Sequence, residues 1–243
     1  MAPRLAAVAP VGDQRPVGPV YRSIIALDLE GSTKRTNPVK GELRRVMYEL
    51  LECSLEAVAI TGNRLEPLTD RGDGVLVLVR PHDEVPKTVF LDRMIPLLAT
   101  LLAEYNEQAA QPSLRIRLRV VIHAGEIHLD RRGCYGEAID IAIRLLDAPR
   151  VKKTLKQATA PLVLVVSHDI YSQVVCQGYV GVSTYLPLWA RVGKQRHRGW
   201  VHVPVPAGPP AAGHQARGSW PAGAAGAAAL TMADARAHYP AAG

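Results

Sequence analysis

Two long segments, residues 38–61 and 87–108, carry apolar side chains at helical spacing, and short apolar runs of strand character bracket each of them. In the first, Leu43, Met47, Leu50, Leu55 and Val58 line one side, and Gly62-Asn63 ends the helix. In the second, Phe90, Met94, Leu98, Leu101 and Tyr105 do so, with Pro96 placed to kink it. Residues 21–29 are mostly apolar and predict a strand buried on both faces. Residues 64–68 and 74–79 predict a hairpin with the tip Asp70-Arg71-Gly72-Asp73, a composition that tolerates positive φ and close approach to backbone. Residues 114–124 alternate Leu114, Ile116, Leu118, Val120 and Ile122 with Arg115, Arg117 and Arg119, the pattern of a half-exposed strand.

The resulting order, β-α-β-β-α-β, is ferredoxin-like. It predicts an α+β fold in which both long helices cover one face of an antiparallel sheet. Residues 125–136 form a turn-rich connection, followed by a short helix at 137–146 that stops before Pro149. An αβ extension follows: a helix at 151–157, a strand at 162–166, a helix at 169–177 and strands at 184–192 and 199–203. The domain spans 21–204. Residues 1–20 hold four prolines and no hydrophobic period, and residues 205–243 are dominated by Ala, Gly and Pro, so both ends are expected to be disordered.

The formal charge of +7 suggests nucleic acid until it is located. Arg191, Lys194, Arg196, Arg198, Arg217 and Arg236 against Asp234 give residues 191–243 a net +5, which leaves +2 for the body. A solvated basic segment with no interleaved aromatic platform disfavours nucleic acid as partner. Cys53, Cys134 and Cys176 form no ligand pattern, and a reducing cytoplasm suits them. No run approaches the ~20 apolar residues of a membrane span, and the opening segment is too short to be a secretory h-region.

Chemistry is suggested by two aspartates at strand ends, Asp28 and Asp73. Asp28 precedes the small-residue turn Leu29-Glu30-Gly31-Ser32-Thr33, whose backbone N–H groups and hydroxyls suit phosphate oxygens. Divalent magnesium takes a few carboxylates plus substrate phosphates, so two acids suffice. Any one Asp beside Gly is more economically a turn cap. A third element, Gly136 to Leu145, places Asp140 and Arg144 four apart on one helical face.

Taken in order, these segments resemble the class III nucleotidyl cyclases, the adenylate and guanylate cyclase homology domain. Asp28-Leu29-Glu30-Gly31-Ser32-Thr33 is similar to the first metal motif, and Arg71-Gly72-Asp73-Gly74 to the second. Val121-Ile122-His123-Ala124-Gly125-Glu126 is similar to the Gly-Ile-His-x-Gly strand, and Gly136 to Leu145 to the Gly-x-x-Val-Asn-x-Ala-x-Arg-Leu helix. The resemblance implies two Mg²⁺ or Mn²⁺ ions held by Asp28, Asp73 and the Leu29 carbonyl, with Gly31, Ser32 and Thr33 at the phosphates. It further implies Arg144 as transition-state stabiliser, Asp140 beside it, and Lys194 as a triphosphate ligand. The substrate would be a nucleoside triphosphate, cyclised to a 3′,5′-cyclic nucleotide and pyrophosphate. The site would span a head-to-tail homodimer.

The departures concern the base. Asp140 stands where the family has asparagine, exchanging an amide donor for an anion. Thr69 replaces the base-reading lysine and Gly133 the base-reading Asp or Cys, so neither ATP nor GTP is assigned. His123 belongs to a structural motif of the family and is expected to pack. A degenerate cyclase domain that binds nucleotide or only dimerises is the alternative, and a nucleic-acid module ranks last.

Overall fold

A computed structural model describes residues 18–181 and 184–205 of the chain. The expected lead-in and tail therefore lie, save for residues 18–20 and 205, outside the described residues. Strand β1 (Val20–Leu29) is an interior strand of the one mixed sheet of this α+β fold. It is antiparallel to β3 (Gly74–Val79) on one side and to β4 (Leu118–Asp130) on the other. The short β2 (Thr69–Asp70) pairs with β3 at one edge. Beyond β4 come β6 (Leu162–Ser167), β8 (Gln195–His202) and β7 (Leu186–Val192) at the other edge, and β5 (Gly133–Tyr135) folds back on the end of β4.

The two long helices share one face, as the apolar periods predict. Helix α1 (Asn37–Glu56) and helix α2 (Ile95–Gln108) bury Leu43, Met47, Leu51, Leu98 and Leu102 against Ile25, Leu27, Val77 and Val120. Pro96 acts through the backbone before it. With no N–H of its own it is preceded by a wide π-turn, Phe90–Met94, where Ile95 N–H bonds the carbonyl of Phe90.

The sheet differs from the expected one in two ways. First, β4 and β6 run parallel, which requires the crossover supplied by α3 (Glu137–Leu146) and α4 (Pro149–Gln157). Second, α3 and α4 cover the opposite face, where Ala142, Leu145, Val151 and Leu155 pack on Ile24, Ala26, Val121 and Val165. Helices thus lie on both faces rather than one, and β4 is buried rather than half-exposed. Arg117, just before β4, is absorbed by the new layer, donating to the carbonyls of Leu155 and Ala158 (3.1 Å to the latter) at the end of α4. Residues 125–136, expected as a loop, are mostly strand, because β4 continues to Asp130 and turns into β5. Gly125 permits this layering, since a Cβ there would lie 2.7 Å from the Cβ of Ala138 on α3.

Residues 169–177 are a short helical turn, α5 (His168–Ile170), followed by a π-turn at Tyr171–Val175. Among the described residues no helix is long and apolar enough to cross a membrane.

Candidate active site

The C-terminal end of β1 lies level with the start of β3 and β4, because Asp28 is in register with Gly74 on one side and Arg119 on the other. The approach of β1 to β3 is very close, and a Cβ on Gly74 would sit 2.3 Å from the carbonyl oxygen of Leu27. That packing brings the two expected metal acids together. Leu29 N–H donates to the carbonyl of Asp73 (2.9 Å), and Ser32 Oγ donates to its carboxylate Oδ2 (2.5 Å). Ser32 is buried, while Gly31 and Thr33 are exposed on the turn.

Asp28 is largely enclosed, and burial holds its carboxyl above the usual carboxylate range. Arg119, which donates to Asp28 Oδ2, opposes that rise, while the negative charges of Asp73 and Asp147 add to it. Asp147, at the end of α3, lies 3.7 Å from Arg119 and 3.1 Å from Lys152. Arg119 keeps two buried donors, Nε and Nη1, without a hydrogen-bond partner among the described residues. Sequence reasoning missed Arg119 and assigned it to a solvent face. Its signal was its place in the strand preceding His123, legible only once β4 is paired with β1.

Beside Asp73 opens a pocket of about 200 Å3 lined by Leu29, Ser32, Lys40, Arg44, Gly72 and Asp73. Arg44 of α1 pairs with Asp70 (2.9 Å), which also accepts Gly72 N–H (2.9 Å). The helix is thereby tied to the turn that carries Asp73.

The charge of Asp73 adds to the proton affinity of Asp28, and two carboxylates brought this close form a hard-oxygen pair that suits a divalent cation. Asp28 and Asp73 fit Mg²⁺ or Mn²⁺ on that ground. They are a pair only: no cluster of three or more His, Cys, Asp or Glu able to hold a metal occurs among the described residues, at this site or elsewhere.

The remaining expected site residues lie elsewhere in the chain. Asp140 and Arg144 are exposed on the outer side of α3, joined to each other by no ion pair among the described residues and bonded to neither metal acid. Lys194 is exposed at the tip of the β7–β8 hairpin, next to Gly193 (φ 55°). Register places that tip at the opposite end of the sheet. Arg119 pairs with Val163, and its neighbour Leu164 pairs with His202, eight residues along β8 from Lys194. His123 packs as expected: it is 4% exposed, and burial pushes its pKa down to about 4.

Of the two expected base-reading positions, Thr69 lies on β2 and Gly133 on β5. Cys134, next to Gly133 on β5, has Thr69 and Arg71 near its thiol. Burial raises the Cys134 thiol.

A further correction concerns the basic hairpin. Trp189 stacks against Arg196 (4.9 Å) and Arg198 (5.9 Å), and Arg198 also lies over Trp200 (4.4 Å), so aromatic rings do interleave with the cations there.

No protein-family model and no curated protein matches the chain. Solved structures do. An adenylate/guanylate cyclase/hydrolase from Silicibacter pomeroyi superposes with a TM-score of 0.55 at 19% identity, covering 76% of this chain and 98% of that one. The guanylyl cyclase Cya2 gives 0.52 at 18% identity, covering 77% and 94%. The catalytic core of a rhodopsin-guanylyl cyclase with converted specificity, solved with ATPαS, gives 0.51 at 13% identity, covering 76% and 96%. The chain therefore has the fold of adenylate and guanylate cyclase catalytic domains.

Proposed function

We propose that this chain is a class III nucleotidyl cyclase that converts a nucleoside triphosphate to a 3′,5′-cyclic nucleotide and pyrophosphate. One observation carries it: Asp28 and Asp73, apart in sequence, meet at the end of β1 beside an open pocket, on the fold that known cyclases use. The order β2-β3-β1-β4 with antiparallel neighbours supports a ferredoxin-like first half. Asp28 and Asp73 would hold Mg²⁺ or Mn²⁺, with the Leu29 carbonyl, and the metal when bound would supply Lewis-acid activation of the ribose 3′-hydroxyl and neutralise phosphate charge. The N–H groups of Gly31, Ser32 and Thr33 and the Thr33 hydroxyl offer donors to phosphate oxygens, and Arg119, bound to Asp28, keeps two donors without a hydrogen-bond partner among the described residues.

Arg144 would stabilise charge at the reacting phosphorus and Asp140 would orient the ribose, with Lys194 on the phosphates. Among the described residues Asp140 and Arg144 bond to neither acid of their own chain, and Lys194 lies at the other end of the sheet, which supports a head-to-tail homodimer whose partner supplies them. Incubation with Mn²⁺ and each of ATP, GTP, CTP and UTP tests the activity. Cyclic product from at least one is expected, and none at high enzyme concentration overturns it. Mixing Asp73→Ala with Arg144→Ala, each inactive alone, should restore about a quarter of the activity if sites are shared across a two-fold pair. No recovery would remove the shared site.

A second reading has its own support. Asp28 is already paired with Arg119, and Asp73 already accepts Ser32, as in a site that binds nucleotide or dimerises without turnover. Calorimetry with a non-cleavable triphosphate and Mn²⁺ separates the two, since tight binding without product favours this second reading.

A further inference from the structure

We propose that Lys40 and Arg44 form a cradle for the terminal phosphates of the triphosphate, and for the pyrophosphate released, on the same chain as Asp28 and Asp73. The inference rests on the cyclase reading for the identity of the ligand but stands on its own geometry. The two cations are one helical turn apart on α1 and line one wall of the pocket, while Asp73 and Ser32 line another. The pocket, at about 200 Å3, is smaller than the ~300–1,000 Å3 of sites that enclose a drug-sized ligand, so it suits one end of a nucleotide rather than the whole.

Three features say that this end is anionic. Lys40 is half-buried and has no hydrogen-bond or ion-pair partner among the described residues. It sits in the first turn of α1, where the helix dipole disfavours a cation, and that turn holds no acid to compensate. Thr36, which precedes the helix, provides no side-chain cap, so the dipole's positive end is unopposed. A polyphosphate in the pocket would satisfy all three at once. Asp73 faces the same space and would repel it, so binding should require a divalent cation between them.

Arg44 is shared. Its pairing with Asp70 holds the Asp73 turn, and its position on the pocket wall lets the guanidinium exchange or share that partner with a phosphate oxygen.

The test uses the full chain with Mn²⁺ and tripolyphosphate or pyrophosphate as probe, read by calorimetry, so it needs no turnover. Wild type should bind tripolyphosphate, Lys40→Ala should weaken it about tenfold, and Lys40→Arg should recover most of the loss. Lys153→Ala, on the exposed side of α4, should match wild type. In turnover, Lys40→Ala should raise KM and weaken pyrophosphate inhibition by the same factor, with kcat little changed. Arg44→Ala should weaken tripolyphosphate binding while Asp70→Asn does not, and equal losses would overturn the part given to Arg44.

The proposal falls if wild type fails to bind tripolyphosphate, or if Lys40→Ala binds it as wild type does. Lys40-dependent binding by a chain that makes no cyclic product would uphold the cradle and sink the cyclase reading. Product formation with a normal Lys40→Ala would do the reverse.

Discussion

Arg119 donates to the carboxylate of Asp28 across the β1–β4 ladder, and in doing so it moderates the rise in proton affinity that burial imposes on that acid. Arg119→Ala should therefore push Asp28 further up. The acid limb of Mn²⁺ binding, or of turnover, should move to higher pH, and Arg119→Lys should bring part of it back. A pH profile that does not move would show that Arg119 serves packing alone.

Gly74 faces the carbonyl of Leu27 at a distance no Cβ can occupy. Gly74→Ala must part β1 from β3 and with them the two acids. A loss of about 3 kcal/mol in urea unfolding is expected, together with weakened Mn²⁺ binding. Near-wild-type stability would mean that the strands can slide at little cost.

His123 is neutral in the folded chain because burial, aided by His197 and Lys87 and opposed by Asp169, lowers its pKa to about 4. The unfolded chain takes up that proton near pH 6.5, so stability is full above pH 6.5 and falls as pH drops toward 4. The loss should approach about 3 kcal/mol, measured as the urea midpoint against pH. His123→Gln should flatten the curve in that window, and an unchanged slope would count against it.

Glu66 works at lower pH. Hydrogen bonds from Arg80 and Arg22, against the cost of burial, hold its carboxyl at about 2. Its folded pKa is depressed, so its stabilisation is present above about pH 4.5 and is lost as pH falls toward 2. Glu66→Gln should cost about 2 kcal/mol at pH 7, since Arg80 is half-exposed and screened, and only about a quarter of that at pH 2.5. Equal costs at both pH values would assign the effect to packing.

How much of this was legible depended on how local the signal was. Helix α3 occupies the expected residues 137–146, since Ala138, Ile139, Ala142, Leu145 and Leu146 share one face and Pro149 bounds the end. The turn Asp70 to Asp73 was also legible, because Gly and Asp there have few alternatives. By contrast, β4 carried a half-exposed alternation that α3 and α4 overrode, and nothing in 114–124 announces a layer built from residues after it.

By itself, then, the sequence determined the elements and the two carboxylates: apolar period and turn residues act over a few neighbours, and the acids sit at strand ends that those periods define. Only the tertiary structure decided what surrounds the acids. The pairing of Asp28 with Arg119, the bond from Ser32 to Asp73 and the facing of Lys40 and Arg44 toward Asp73 across a pocket join residues up to 91 positions apart, and strand register and helix packing bring them together. The charge state of the site is a property of that enclosure, because desolvation acts on a carboxylate only once other parts of the chain have closed over it.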